Sequence, residues 1–212
     1  MELQTPRLTI RKLQEQDFRD FCAYSMDDEM SQMMGRPLLR TEQDVWPLFH
    51  WLLDKEERCY ALVDRTDGRV IGNLTVCAVP KELIALEPIR GKKGKSLSFC
   101  IGRAYRRQGL MLEAVGAIID QLFRQEHMDY LHCGYLAFNE ASKRLQEKLG
   151  FQFLTSVQIP TPDGPIEAIE NVLYPQKIKE RRFHFEIAVA SRLSKNPGFQ
   201  CAKAGALLQF GQ

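Results

Sequence analysis

The stretch "YRRQGLMLEA" (Tyr105–Ala114) sets two arginines, a glutamine and a glycine just ahead of an apolar helical pattern. A helix N-terminus offers unpaired N–H groups and the positive end of the helix dipole, and together they attract anions. Gly109 lets the backbone approach an anion with no Cβ in the way. The same residues also suit an ordinary strand-to-helix turn with solvated arginines, and the stretch alone leaves both readings open. A second candidate lies in "AFNEASKRLQEKLGF", where Asn139 stands between a strand pattern and a helix pattern. Its amide can cap that helix, or it can bond the amide groups of an extended ligand. Ser142, in the same first turn, either bonds to backbone or presents its hydroxyl.

Elements must position these groups. "RLTIRKL" (Arg7–Leu13) alternates as a half-buried first strand does. Asp17 is placed to cap a helix carrying Phe18, Phe21 and Cys22. Val45, Leu48, Phe49, Leu52 and Leu53 recur at helical spacing, with Pro47 in the tolerant first turn if Asp44 is the cap. Cys59–Val79 reads as two strands about the Asp67–Gly68 turn, and Ser96–Gly102 as a fourth strand. Leu112, Val115, Ile118, Ile119 and Leu122 form one helical face. Tyr130–Phe138 is strand-like, and the next helix has Gly150 as its C-terminal cap. Phe151–Pro160 and Pro165–Tyr174 form a last strand pair about Asp163–Gly164. The order implies an α/β (α+β) domain over residues 1–174, a mixed sheet flanked by helices.

Bulk properties narrow the class. Apolar residues are 44% of a 212-residue chain, enough for a packed core. No apolar run reaches the roughly 20 residues of a membrane span, and the first residues lack a secretory h-region. A cytoplasmic protein with no membrane partner is expected. Six cysteines show no C-x-x-C pair and four histidines share no ligand spacing, which predicts incidental thiols and no metal. Residues 175–212 hold seven Lys/Arg against two Asp/Glu in a chain of net charge +2. This basic extension, partly helical by its pattern, falls short of a nucleic-acid footprint. It could serve instead to hold a second subunit or an acidic partner, so the chain is read as a monomer or homodimer.

Residues 3–174 resemble the GNAT superfamily of acetyl-CoA-dependent acyltransferases, within it the RimJ/RimL-like branch. The resemblance rests on four motifs in order. "LQTPRLTIRKLQEQDF" is similar to that branch's opening through Thr5, Arg7, Leu8, Arg11, Leu13 and Asp17. "RRQGLM" matches the Q/R-x-x-G-x-G/A loop at Arg106 and Gly109, and Glu113–Ala114 the "E-A" after it. "NEASKRLQEKLGF" is close to the branch's N-x-x-S…E-K-L-G-F segment. The resemblance implies a mostly antiparallel sheet splayed between the fourth and fifth strands. It implies a CoA pyrophosphate on the N–H groups of Arg107, Gln108, Gly109, Leu110 and Met111, with Arg106 and Arg107 adding charge. It also implies a pantetheine arm beside Phe99, Cys100 and Ile101, held near its end by Asn139. Ser142 would protonate the leaving thiolate, and the acceptor would be a protein N-terminus or a small amine.

Two departures stand out. Met111 replaces the loop's last small residue, where it either crowds the first turn or points into the core. Ser96 stands where the branch often has a Glu, and a serine at its ordinary pKa is a poor base. Glu113 is the nearest carboxylate in sequence, but it suits stabilisation of its helix N-terminus. His132 and Tyr135 read as ordinary strand residues. Asp27, Asp28 and Glu29 could draw in a cationic amine or form a solvated loop. Three functions follow: an active N-acetyltransferase, a non-catalytic acyl-CoA-binding module, and an interaction protein using the basic extension.

Overall fold

Alternation and caps become elements in the computed structural model, which describes residues 2–53, 58–160 and 164–175. In chain order these are β1 (Glu2–Gln4), β2 (Leu8–Lys12), α1 (Phe18–Ser25), α2 (Asp28–Met33), α3 (Glu42–Leu53), β3 (Arg58–Asp64), β4 (Val70–Cys77) and β5 (Gly94–Ile101), then α4 (Leu110–Arg124), β6 (Tyr130–Leu136), α5 (Glu140–Leu149), β7 (Gln152–Ile159) and β8 (Ile166–Leu173). Two elements escape the sequence reading. β1 has three residues, too few to show alternation, and α2 is a polar six-residue helix capped by the Asp27 side chain. The fourth and fifth strands of the sequence are therefore β5 and β6.

The strands form one sheet in the order β1-β2-β3-β4-β5-β6-β8-β7. Every neighbouring pair is antiparallel except β5–β6, which is parallel. β8 thus lies between β6 and β7. Phe21, Val45 and Phe49 of α1 and α3 pack with Cys59, Ala61 and Val70 of the sheet. α4 packs against β2 and β5, and α5 against β6. No helix among the described residues is long and apolar enough to cross a membrane.

Several local expectations change. The Asp17 side chain makes no cap for α1. It is buried and takes two bonds from Arg11, both 2.7 Å, plus one from the Gln14 N–H. Thr41, not Asp44, caps α3: Asp44 N–H donates to Thr41 Oγ1, and Thr41 N–H donates back to the Asp44 carboxylate. α3 therefore runs through Pro47 as an interior residue and forgoes one backbone hydrogen bond. On α4, Leu112 is exposed, and the buried face begins at Leu110 and Met111. The Asp163 side of the last turn and the helix expected in the extension lie outside the described residues.

One carboxylate joins the N-terminal segment to the start of α4. Glu113 Oε1 accepts from Thr5 Oγ1 at 2.6 Å and from the Arg7 N–H at 2.9 Å. Its Oε2 accepts from Arg7 Nε and Nη2, both at 2.7 Å, while Arg7 Nη1 donates to the Gln108 carbonyl at 2.7 Å. Burial pushes this carboxyl up, but the bonds from Thr5 and Arg7 outweigh it and hold the group below its ordinary value of 4.5. A lowered carboxyl stabilises the fold above its unfolded value and loses that contribution as pH falls through the folded one. Glu113→Gln is expected to lower stability at pH 7 by about 1–2 kcal/mol, as charged hydrogen bonds do. In denaturant melts the gap between the two proteins should narrow as pH drops below 4.5.

Candidate active site

The parallel pair β5–β6 holds for only three residues, Gly94–Ser96 against Tyr130–His132. Beyond that, β5 stays on β4 out to Ile101, and β6 stays on β8 out to Leu136. Each strand is satisfied on its outer side, and their facing edges part. Ser98 and Gly134, near the middle of an eight-stranded sheet, are exposed as a result. The open β5 edge over Phe99, Cys100 and Ile101 offers backbone groups to an extended ligand, as an edge strand offers them to a new strand.

The loop from β5 to α4 sits at the end of this gap. Arg107 and Gly109 both take left-handed backbone, at φ +62° and +76°. Such residues curl successive N–H groups toward one side, and helix geometry leaves those of Leu110, Met111 and Leu112 without partners inside α4. Met111 is buried, so its side chain points into the protein and does not crowd the loop. Arg106 sits differently from the sequence expectation: its Nη1 lies 2.9 Å from Glu29 and its Nη2 3.3 Å from Asp27. Arg103 also reaches Glu29, at 3.1 Å, and Asp28 meets Arg40 at 3.2 Å. The acidic trio opens a helix and engages arginines, so it is neither a loop nor a free attractor of amines.

Asn139 uses both ends of its amide. Its Oδ1 accepts from the Ser142 N–H at 3.0 Å, capping α5, and its Nδ2 donates to the Met33 carbonyl at 3.2 Å. Ser142 Oγ accepts from Gln146 Nε2 at 3.2 Å, which leaves the serine's own proton available to donate. Gln146 is fully buried and in turn accepts from Asn171 Nδ2 at 3.0 Å. Tyr135 is partly buried on β6, and burial pushes its hydroxyl up.

At the point where β5 and β6 part, three side chains form a chain that the sequence reading did not join. Ser96 Oγ lies 2.9 Å from His132 Nδ1, and His132 Nε2 lies 2.7 Å from Glu170 Oε2. Ser96 and His132 are buried. A Cβ on Gly134 would collide with the Glu170 carboxylate, so the glycine makes room for that carboxylate's reach. The residues lie on three strands, 36 and 38 positions apart, and no local spacing pairs them. The one available signal was a polar imidazole inside the apolar strand "YLHCGYL".

On the same face, by strand alternation, lies a cavity of about 130 Å³ lined by Phe21, Met34, Arg36, Trp51, Ser98 and Cys100 among others. Arg36 Nη2 donates to the Ser25 carbonyl at 3.1 Å, while its buried Nε has no partner among the described residues. Burial pulls this guanidinium below its usual value. Burial also pushes the Cys100 thiol up to about 11, and it donates to Asn73 Oδ1 at 2.9 Å. Among the described residues no group of three or more His, Cys, Asp or Glu could hold a metal.

Comparison with known proteins agrees with this geometry. A family model described as an acetyltransferase (GNAT) domain matches residues 7–152. No curated protein matches the chain. Among solved structures, the GNAT-family acetyltransferase from Bacillus anthracis is similar with a TM-score of 0.70 at 16% identity, covering 82% of this chain and 98% of that one. The ribosomal-protein-S5-alanine acetyltransferase from Vibrio fischeri is similar with a TM-score of 0.65 at 15% identity, covering 82% and 96%. An acetyltransferase from Agrobacterium tumefaciens reaches a TM-score of 0.58 at 20% identity, covering 82% and 94%. At these identities the structures show the shared fold. The family match spans more than half of the sequence, and the chain therefore belongs to the GNAT acetyltransferase family, N-acetyltransferases that take acetyl-CoA as co-substrate.

Proposed function

We infer that residues 1–174 move the acetyl group of acetyl-CoA to a primary amine by direct attack within a ternary complex, with residues 175–212 as a separate basic extension. The observation that carries this reading is the gap between β5 and β6, open along Ser98–Ile101 and ending at the left-handed loop before α4. The residues fit the co-substrate. In this reading the N–H groups of Arg107, Gln108, Gly109, Leu110 and Met111 hold the pyrophosphate. The edge at Phe99, Cys100 and Ile101 bonds the pantetheine amides, and Asn139 fixes the α5 start beside them. Arg107 brings charge to the phosphates, while Arg106 anchors the loop to α2 through Asp27 and Glu29. Ser142 gives its proton to the leaving thiolate, and a β5 N–H near Phe99 or Cys100 steadies the oxyanion.

The acceptor class is the α-amino group of a peptide, as in the RimJ/RimL-like branch. The cavity supports this choice over a polyamine: the Arg36 guanidinium in its lining suits a carbonyl or carboxylate near the reacting nitrogen, and a polyamine has neither. The similarity to a ribosomal-protein-S5-alanine acetyltransferase points the same way. The reaction takes place in the cytoplasm, on the monomer or a homodimer.

Two measurements test the reading. Calorimetry should show acetyl-CoA binding by the wild type and at least a tenfold weaker Kd for Gly109→Trp, about 1.4 kcal/mol or more. Wild type that binds no acetyl-CoA refutes the assignment of the loop. In thiol-release assays, short peptides with free N-termini should be turned over and spermidine should not. Arg36→Met should raise the peptide KM about tenfold, through loss of one charged hydrogen bond, and leave the acetyl-CoA KM unchanged.

A further inference from the structure

We propose that Ser96, His132 and Glu170 form a proton relay that takes up the proton lost by the acceptor amine, in place of the carboxylate that this strand position lacks. The proposal rests on the acetyl-transfer reading above. Its support is positional and chemical. The Ser96–His132 bond spans the last rung of the parallel ladder, so it lies at the apex of the gap. Ser98, exposed two residues further along, points to the same face by alternation. Two strand residues span about 7 Å, so one water molecule can connect Ser96 Oγ with an amine placed beside Ser98 and Cys100.

The hydrogen bonds define the direction of transfer. A carboxylate only accepts, so His132 Nε2 carries the proton given to Glu170. Nδ1 is then a free lone pair that accepts from Ser96 Oγ. When the amine forms its bond to the acetyl carbon, its proton passes to the bridging water and a water proton passes to Ser96 Oγ. The serine's own proton moves to His132 Nδ1, leaving an imidazolium whose Nε2–H faces the Glu170 carboxylate. The carbon–sulfur bond breaks, the thiolate takes a proton from Ser142, Ser142 regains one from solvent, and the imidazolium returns its proton to solvent through the same chain.

The surroundings suit this task. Tyr130, two residues before His132 on β6, and Val172, paired with His132 on β8, belong to an apolar cluster with Val79, Leu83 and Ile89. Two cysteines neighbour the relay. Cys77 pairs with Ser96 on β4, and Cys133 follows His132 in β6. Burial, then the charge of Glu170 and of Cys77, pushes the Cys133 thiol up, and burial raises the Tyr130 hydroxyl, so both stay protonated. Glu170 is therefore the charged partner of the imidazole, and Gly134 secures its reach.

The test is steady-state kinetics of peptide acetylation from pH 5 to 9, with acetyl-CoA binding measured in parallel. Wild-type activity should fall as the α-amino group of the peptide protonates below about pH 8. His132→Ala and Ser96→Ala should each lower kcat about 10²-fold, with the acetyl-CoA Kd and the peptide KM unchanged. The double variant should lose no more than either single, since the two act as one unit. Glu170→Gln removes the charge that faces the imidazolium as it forms and should lower kcat by less than either of these variants. Gly134→Ala should behave like Glu170→Gln, because the added methyl displaces the carboxylate. Should His132→Ala fail to fold, Ser96→Ala and Glu170→Gln carry the test alone. Variants whose kcat stays near that of wild type, or Ser96 and His132 losses that multiply, overturn the relay while leaving acetyl transfer intact. Wild type that binds acetyl-CoA but acetylates no peptide overturns the acceptor reading and the relay's role with it.

Discussion

Parallel pairing between β5 and β6 stops at Ser96 and His132, and most of the site follows from that stop. A strand in the middle of a sheet normally has both edges paired, because unpaired buried backbone groups are costly. Here β5 keeps β4 and β6 keeps β8, so each strand is stable on one side and open on the other. The opening exposes polar backbone in a cleft lined by the sheet itself. An extended amide-bearing arm can restore the missing hydrogen bonds there, which is how an ordinary sheet becomes a binding site for one kind of ligand.

The mouth of the cleft is held by charge. Glu113 accepts from Thr5 and Arg7, and Arg7 also donates to the Gln108 carbonyl, so the loop is tied to the first strands. On its other flank Arg106 is tied to Asp27 and Glu29 at the start of α2. Two segments, residues 5–7 and 27–29, thus fix a loop whose backbone is left-handed at Arg107 and Gly109. Such backbone is unfavourable for a residue like Arg107 and persists where its surroundings hold it. Holding N–H groups in place before a ligand arrives lowers the ordering cost of binding.

The two ends of the cleft differ in chemistry. The loop end is rich in N–H groups and guanidinium. The apex holds hydroxyl, imidazole and carboxylate, packed against a cluster that includes Tyr130 and Val172. Between them lie the Arg36 cavity and the exposed Ser98. In the acetyl-transfer reading, phosphate chemistry and proton chemistry are kept apart along one sheet, and the same β5 strand serves both.

Much of this domain was legible along the chain because its signals are local. The alternation of Leu8–Lys12, the turn at Gly68, the Gly150 cap and the apolar face of α4 each involve residues a few positions apart. The glycine-bearing loop and Asn139 were legible for the same reason. What the chain did not reveal depends on strand order. β8 could have stayed at the sheet edge beyond β7; its place next to β6 puts Glu170 beside His132, 38 residues away. The Glu113 clamp bridges 106 residues to Arg7, and Arg106 meets Asp27 across 79. Local periodicity records which face a residue takes. Only the packing of the whole sheet decides which distant residue shares that face, because that choice is made by the collective burial of strands and not by any short run of sequence.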